Sequence, residues 1–359
     1  MNIVIRTDAS LEIGTGHVMR CITLAKQLKS EEINIIFICR NLIGNCIKLI
    51  ENEGFTVRIL KKNDACNQWN WLQKNWKLDA AETKLILAAL NKRVDLLIVD
   101  HYGLDEKWES DLRSAVKKIL VIDDLANRAH DCDVLLDQNY YPTMNSRYNN
   151  KISHSCIQLL GPNYALLRDE FLFIKEKRVK SDGVIQNVLV FFGGSDQTGE
   201  TIKTLQAVEE LNLSDVQFNV VVGAANPKKE KIRKFCEQMT NVTFYCQVNN
   251  MAELMQKADF AIGAGGTTTW ERCFLGLPSI VIVVADNQQE LAESVAKKGA
   301  ICCLGRNENV TAKDIAEKLY QFYKNPLKVS EMIRICSDMM QSELVKDKLV
   351  NKNIMELIK

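Results

Sequence analysis

The stretch Arg6–Arg20, R-T-D-A-S-L-E-I-G-T-G-H-V-M-R, sets a histidine directly behind two glycines, Gly14 and Gly16. Glycines at such spacing let the backbone turn tightly and come close to a ligand. If a helix opens at His17, its unpaired N–H groups face the same ligand. The positive end of a helix disfavours imidazolium, and a neutral imidazole can accept a proton from water. One reading of His17 is therefore a general base; the other is a helix-capping histidine with no part in chemistry. Spacing alone does not choose between them. Residue 19 is Met, so G-T-G-H is not the dinucleotide G-x-G-x-x-G, and the G-K-[ST] of a phosphate-binding loop is absent.

Two further glycine-rich turns carry anion-binding chemistry. Gly193-Gly194-Ser195-Asp196 follows an apolar run, and Gly263-Ala264-Gly265-Gly266-Thr267-Thr268-Thr269 follows another before Trp270-Glu271. Glycines, hydroxyls and helix N–H groups converging on one point suit a diphosphate. A tight strand-to-helix turn with threonine caps is the plainer reading of the second. Asp100-His101-Tyr102 and Asp123-Asp124 end two strand-like runs. They read either as residues lining a ligand crevice or as ordinary polar strand ends. Asp131-x-Asp133 matches the D-x-D of some metal-dependent sugar-nucleotide enzymes, but no other ligands cluster near it, so chance is favoured.

These residues need elements to hold them. Asn2–Ile5 reads as a first strand, and Val18, Cys21, Ile22, Ala25 and Leu28 recur at helical spacing behind it. Strand-like runs follow at Ile33–Cys39, Thr56–Leu60, Val94–Asp100, Ile119–Asp123 and Val134–Leu136, with helical patterns at Ile43–Glu53 and Cys66–Asn91. From Asp137 to Arg168 turn formers dominate and a long loop is expected, before a short helix reaching about Lys177. A second alternating series runs through Asn187–Phe192, Phe218–Val222, Val242–Cys246, Phe260–Ile262 and Ser279–Val284, with Cys302-Cys303 reading as part of a strand. Alternation of this kind implies parallel, doubly wound sheets. The expectation is an α/β chain of two domains, 1–180 and 184–330, joined by a linker at Lys175–Gly183. Amphipathic helices at 331–359 are expected to pack back on the first domain.

Composition narrows the function classes. The 359 residues are 47% hydrophobic and 25% charged, with a formal net charge of +1. That balance fits a globular protein and gives no electrostatic reason to expect nucleic acid or an anionic membrane as partner. The start of the sequence lacks a basic region followed by an apolar signal core, and no apolar run approaches the ~20 residues that span a bilayer. Twelve cysteines without a C-x-x-C pair read as reduced thiols, and a cytoplasmic protein is expected. No G-x-S-x-G is present, and no histidine has metal-ligand spacing with a cysteine.

Taken together, the motifs resemble the UDP-sugar hydrolases of pseudaminic acid biosynthesis, the PseG type, whose fold is similar to the MurG-like members of the GT-B class. The resemblance rests on 6–21, on D-H-Y-G-L-D at 100–105, I-D-D-L-A-N-R at 122–128 and D-x-L-L-D-Q-N at 133–139. It continues through G-P-N-Y-A-L-L-R-D-E-F at 161–171, F-F-G-G-S-D at 191–196, G-A-G-G-T-T-T-W-E-R at 263–272 and the stretch at Asn287-Gln288. It implies a GT-B-like pair of Rossmann-like domains with a crevice between them, plus C-terminal helices. It also implies metal-independent, inverting hydrolysis of UDP-2,4-diacetamido-2,4,6-trideoxy-β-L-altropyranose; a monomer without cofactor is expected. On this resemblance His17 orients the attacking water. Asp8, Gly16, Tyr102 and Asn139 line the sugar pocket, Arg20, Gly194, Ser195, Gly265, Gly266, Thr267, Thr268 and Asn287 also bind the substrate, and Glu271 accepts from the ribose hydroxyls. A glycosyltransferase using the same donor, and a non-catalytic sugar-nucleotide sensor, are the competing readings.

Overall fold

The structure, a computed structural model, describes residues 1–62, 68–175, 182–341, 345 and 348–358. Its contacts divide the chain into two units, each built on one parallel sheet. In the first, β1 (Asn2–Thr7), β2 (Asn34–Arg40), β3 (Thr56–Leu60), β4 (Val94–Asp100), β5 (Val116–Ile122), β6 (Val134–Asp137) and β7 (Ile157–Leu160) lie in the order β3-β2-β1-β4-β5-β6-β7. In the second, β8 (Asn187–Phe191), β9 (Gln217–Val222), β10 (Val242–Cys246), β11 (Phe260–Ala264), β12 (Ser279–Val283) and β13 (Ile301–Arg306) take the order β10-β9-β8-β11-β12-β13. This is the GT-B-like pair of Rossmann-like domains.

Helices cover both faces of each sheet, so the central strands are apolar on both sides. Ile3 and Ile5 of β1 pack with Leu96 and Ile98 of β4 into one core, together with Val18, Leu24 and Ala25 of helix Gly16–Leu28. The alternate residues Val4, Leu97 and Val99 enter a second core on the opposite face. Strand order reverses between β1 and β4 in one sheet and between β8 and β11 in the other. At such a switch point the loops leave in opposite directions, and the strands' carboxyl ends open a place for a ligand. The register that pairs Thr7 with Asp100 brings the carboxyl ends of β1 and β4 level.

Several elements differ from the pattern expected of the sequence. The region 137–168 holds strand β7, which is four residues long, with Ile157 exposed and only Leu159 buried. An edge strand of that length leaves no readable alternation. The stretch read as one long helix is two, Gln68–Lys74 and Trp76–Ala89; its first residues and most of the linker at 175–183 lie outside the described residues. The C-terminal region is split between the units. Helix Pro326–Met340 packs on helix Thr268–Leu275, whereas Val350 and Ile354 of helix Leu349–Ile358 join the first unit's core beside helix Gly16–Leu28. Asn351 fixes that contact by donating to the Gln27 carbonyl at 3.1 Å.

Candidate active site: two switch points

The loop after β1 is shaped by its own residues. Ser10 Oγ accepts from the backbone N–H groups of Glu12 and Ile13, and Gly14, at φ +77°, closes the turn by donating to the Ser10 carbonyl at 2.9 Å. Helix Gly16–Leu28 then begins, and His17 in its first turn is buried. A Cβ added at Gly16 would meet nothing within 4 Å, and the residue is exposed. Nothing in the protein requires glycine there, whereas close approach of a ligand would.

Asp100, at the carboxyl end of β4, ties the cluster together. His17 Nδ1 lies 2.6 Å from Asp100 Oδ1, and Arg20 clamps the same carboxylate through Nε (2.6 Å to Oδ2) and Nη2 (2.7 Å to Oδ1). Arg20 Nη1 donates to Asp124 Oδ2 at 2.9 Å, and Tyr102 donates its hydroxyl to Asp124 Oδ1 at 2.6 Å. The Tyr102 ring meets the His17 ring edge-on, with centroids 4.4 Å apart. Burial alone would raise the Asp100 pKa, but Arg20 and His17 hold it well below the usual carboxylate range. A fully ionised acceptor at Nδ1 fixes the N–H on that nitrogen and leaves the basic lone pair on Nε2. Three residues expected from the sequence, His17, Arg20 and Tyr102, are thus brought together with Asp100 and Asp124.

Asp8 and Asn139 have other surroundings. The Asp8 carboxylate is buried, pairs with Arg6 at 2.7 Å, accepts from the Arg40 backbone N–H at 2.6 Å and faces His101 Nε2 at 3.3 Å. Arg6 and Arg40 share Asp79 on their far side, so Asp8 belongs to a buried charge network that anchors the end of β1. With Trp71, Leu72 and His101 it also lines a small cavity. The buried Asn139 donates its backbone N–H to Asp137 Oδ1 at 3.0 Å. Burial and the nearby Asp124 and Asp123 carboxylates push Asp137 well above the ordinary range, and Tyr148 lies within 3.0 Å of it. Asp131 and Asp133, the D-x-D pair, are both engaged by Arg113, and Asp133 also accepts from Lys118. Among the described residues no group of three or more His, Cys, Asp or Glu is arranged to hold a metal ion.

The second switch point has different chemistry. Gly193, at φ +86°, turns the chain after β8, and the buried Asp196 carboxylate accepts from the N–H groups of Gly199, Glu200 and Thr201, capping the next helix. Gly194 and Ser195 occupy the outside of that turn, and a Cβ at Gly194 would meet nothing within 4 Å. Across the switch point, Gly265 is closely packed: a Cβ there would come within 3.2 Å of Val281 and 3.3 Å of Ala292. Gly266 beside it is open, with only Gln288 Nε2 nearby at 3.7 Å. Thr267 and Thr268 lead into helix Thr268–Leu275, and the N-cap Thr267 makes no side-chain cap hydrogen bond. Asn287 and Gln288 lie in the first turn of helix Asp286–Lys298. Glu271 is buried; its Oε1 accepts from Arg168 Nε at 3.0 Å, while Oε2 has no hydrogen-bond partner among the described residues. Burial pushes Glu271 above the ordinary carboxylate range, against the pull of Arg168.

Sequence reasoning missed three participants. Asp100 was one of several strand-end acids, and only the β1–β4 pairing singles it out. Arg168 and Arg272 lie inside quoted motifs without any local signal of what they touch.

Residues 188–348 match the model of the glycosyltransferase family 28 C-terminal domain. The chain is 29% identical over 304 residues to the UDP-2,4-diacetamido-2,4,6-trideoxy-β-L-altropyranose hydrolase of Campylobacter jejuni, a match that covers 83% of this chain and 97% of that one. It is also 29% identical over 306 residues to an uncharacterised protein of Methanocaldococcus jannaschii, covering 83% of this chain but only 59% of the archaeal one. Among solved structures it is similar in fold to MurG of Acinetobacter baumannii, with a TM-score of 0.64 over 96% of this chain and 97% of that one, at 13% identity. The likeness to the PseG-type hydrolase is thus one of sequence over most of both chains, and the likeness to MurG is one of fold.

Proposed function

We propose that the protein hydrolyses UDP-2,4-diacetamido-2,4,6-trideoxy-β-L-altropyranose, breaking the bond between the anomeric carbon and the diphosphate oxygen with inversion. The His17–Asp100 pair at the first switch point carries the reading. His17 Nε2 takes a proton from water as the water oxygen bonds to the anomeric carbon, and UDP leaves with the electron pair of the broken bond. Asp100 stabilises the imidazolium that forms, and Arg20 holds Asp100 ionised and in place. Tyr102 and Asp124 shape the ground around the ring, and Asp8, Gly16 and Asn139 border the sugar.

The second unit handles the leaving group. Open backbone at Gly194 and Gly266 and the N–H groups ahead of Thr268 suit the diphosphate, whose charge grows as the bond breaks. Ser195, Gly265, Thr267 and Asn287 complete this set, and the unpartnered Glu271 oxygen takes the ribose hydroxyls. UDP is a good leaving group, so no strong general acid and no metal is required. A second reading, transfer of the sugar to an acceptor hydroxyl, is favoured by the family 28 match.

UDP release is the test, with the altro-configured substrate, UDP-N-acetylglucosamine as control, and EDTA present. Release from the first only, lost in His17→Ala, is the expected result. Binding of UDP without release, until an acceptor sugar is added, would replace the hydrolase by a transferase.

A further inference from the structure

Among the described residues four arginine side chains are buried, and three of them are neutralised. Arg6 pairs with Asp8 at 2.7 Å and Asp79 at 2.9 Å, Arg20 with Asp100 at 2.6 Å and Asp124 at 2.9 Å, and Arg40 with Asp79 at 2.6 Å and Glu82 at 2.9 Å. Arg272, only 2% exposed, has no carboxylate within ion-pair distance among the described residues. Its sequence neighbour Glu271 is engaged by Arg168 instead.

What Arg272 touches is the glycine–threonine loop. Nη2 donates to the carbonyl of Ala264, the last residue of β11, at 3.0 Å and to Thr269 Oγ1 at 3.1 Å; Nη1 reaches Thr268 Oγ1 at 3.5 Å; Nε has no acceptor among the described residues. The backbone makes room for it. A Cβ at Gly263 would lie 3.0 Å from Nη1 and 2.4 Å from the Phe191 carbonyl. A guanidinium is a donor only, so it occupies acceptor positions on Thr268 and turns that hydroxyl's own hydrogen outward. Thr268 is half-buried at the mouth of the loop, so an outward hydrogen meets whatever the loop binds.

A buried cation without a counter-ion is costly to the folded chain. The positive end of helix Thr268–Leu275 lies beside it and adds charge of the same sign. Both costs are relieved at once by an anion at the loop. We infer that Arg272 is a positioning residue whose missing counter-charge is the diphosphate of the bound nucleotide, and that it acts through the Thr268 hydroxyl and the loop backbone. This rests on the reading of the second unit as the nucleotide-diphosphate site, but not on hydrolysis.

The decisive comparison is wild type against Arg272→Met, which keeps the length and removes the charge. Calorimetric titrations with UDP, uridine and inorganic pyrophosphate, and thermal melts without ligand, would be run on both. UDP and pyrophosphate affinities are expected to fall roughly 10- to 100-fold in the variant while uridine affinity stays the same. The ligand-free variant should melt at the same temperature as wild type or higher, because an uncompensated buried charge has been removed. A purely structural arginine gives the opposite: a lower melting temperature or no folded protein, and UDP and uridine weakened together. Either of those, or unchanged UDP affinity, overturns the inference. Failure of wild type to bind UDP or pyrophosphate would remove the nucleotide reading as well, whereas binding without turnover would remove only the hydrolase.

Discussion

At the first switch point charge is dense and paired: Asp100, Arg20, Asp124 and His17 are linked by hydrogen bonds of 2.6 to 2.9 Å. At the second, the groups facing the turn are backbone N–H, hydroxyl and glycine, with one buried guanidinium unmatched and one carboxylate oxygen of Glu271 unpartnered. On the proposed function, the contrast follows the work each site would do. A general base needs its tautomer and its acidity fixed before substrate arrives, so its partners belong to the protein. A site for a leaving anion must keep its favourable interactions unspent until the anion is there, so its partners are incomplete without ligand.

Removing chemistry from the first site without touching the second should break the comparison most sharply. His17→Ala is expected to lower kcat by ~10²–10⁴-fold while UDP affinity stays within about twofold of wild type. Stopped turnover with an equally large loss of UDP binding would show that the two sites do not divide the work in this way. Asp100→Asn is the next smaller change. It keeps the shape but offers Nδ1 an amide in place of an ionised acceptor, so a drop in kcat no larger than that of His17→Ala is expected, with KM little changed.

The second site is sharpened by Glu271→Gln. The carboxylate keeps Arg168 but has Oε2 to offer, and an amide offers either an oxygen or an N–H in that place. UDP affinity is expected to fall about tenfold, the size of one charge-assisted hydrogen bond, with kcat nearly unchanged. Titration with 2′,3′-dideoxy-UDP discriminates: the variant and wild type should bind it alike. If the variant loses affinity for both nucleotides equally, Glu271 serves the fold around Arg168 and not the ribose.

Much of this was readable from residue order, and the reason is local. Strand, glycine turn and helix start are contiguous in Gly14–Arg20 and Gly263–Glu271, so the sequence carries both loops whole. Pairings across the sheet are not contiguous. That His17 meets Asp100, 83 residues away, depends on β1 lying beside β4, and Asp100 looks no different in sequence from Asp123 or Asp137. Asp8 shows the same limit. Its motif gives no sign that its carboxylate accepts from Arg6 and the Arg40 N–H, contacts set by β2 and by helix Trp76–Ala89 through Asp79. Arg272 was silent because an arginine on a helix is ordinary until its burial and lack of a counter-ion are seen.

The smallest effect on turnover is expected from the charge stored behind the first site, where the difference between the units becomes a difference in pH dependence. His130 is buried with Nδ1 2.7 Å from Glu109 Oε1 and Nε2 3.8 Å from Asp123 Oδ2, an ion-pair distance. Burial alone would lower its pKa, but the Asp123 and Glu109 carboxylates outweigh it and push it up to about 9. Arg128 at 2.9 Å and Tyr148 also face Asp123, so the carboxylate stays ionised when His130 loses its proton. The folded pKa is above the unfolded value of about 6.5. The stabilisation is therefore fully present below about pH 6.5 and is lost as pH rises through about 9, amounting to on the order of 3 kcal/mol at most. Thermal melts from pH 6 to 10 should show wild type losing stability over that window relative to His130→Gln, whose amide does not titrate. Parallel curves for the two proteins would mean that His130 is neutral in the folded state and that the first unit's buried charges are balanced without it.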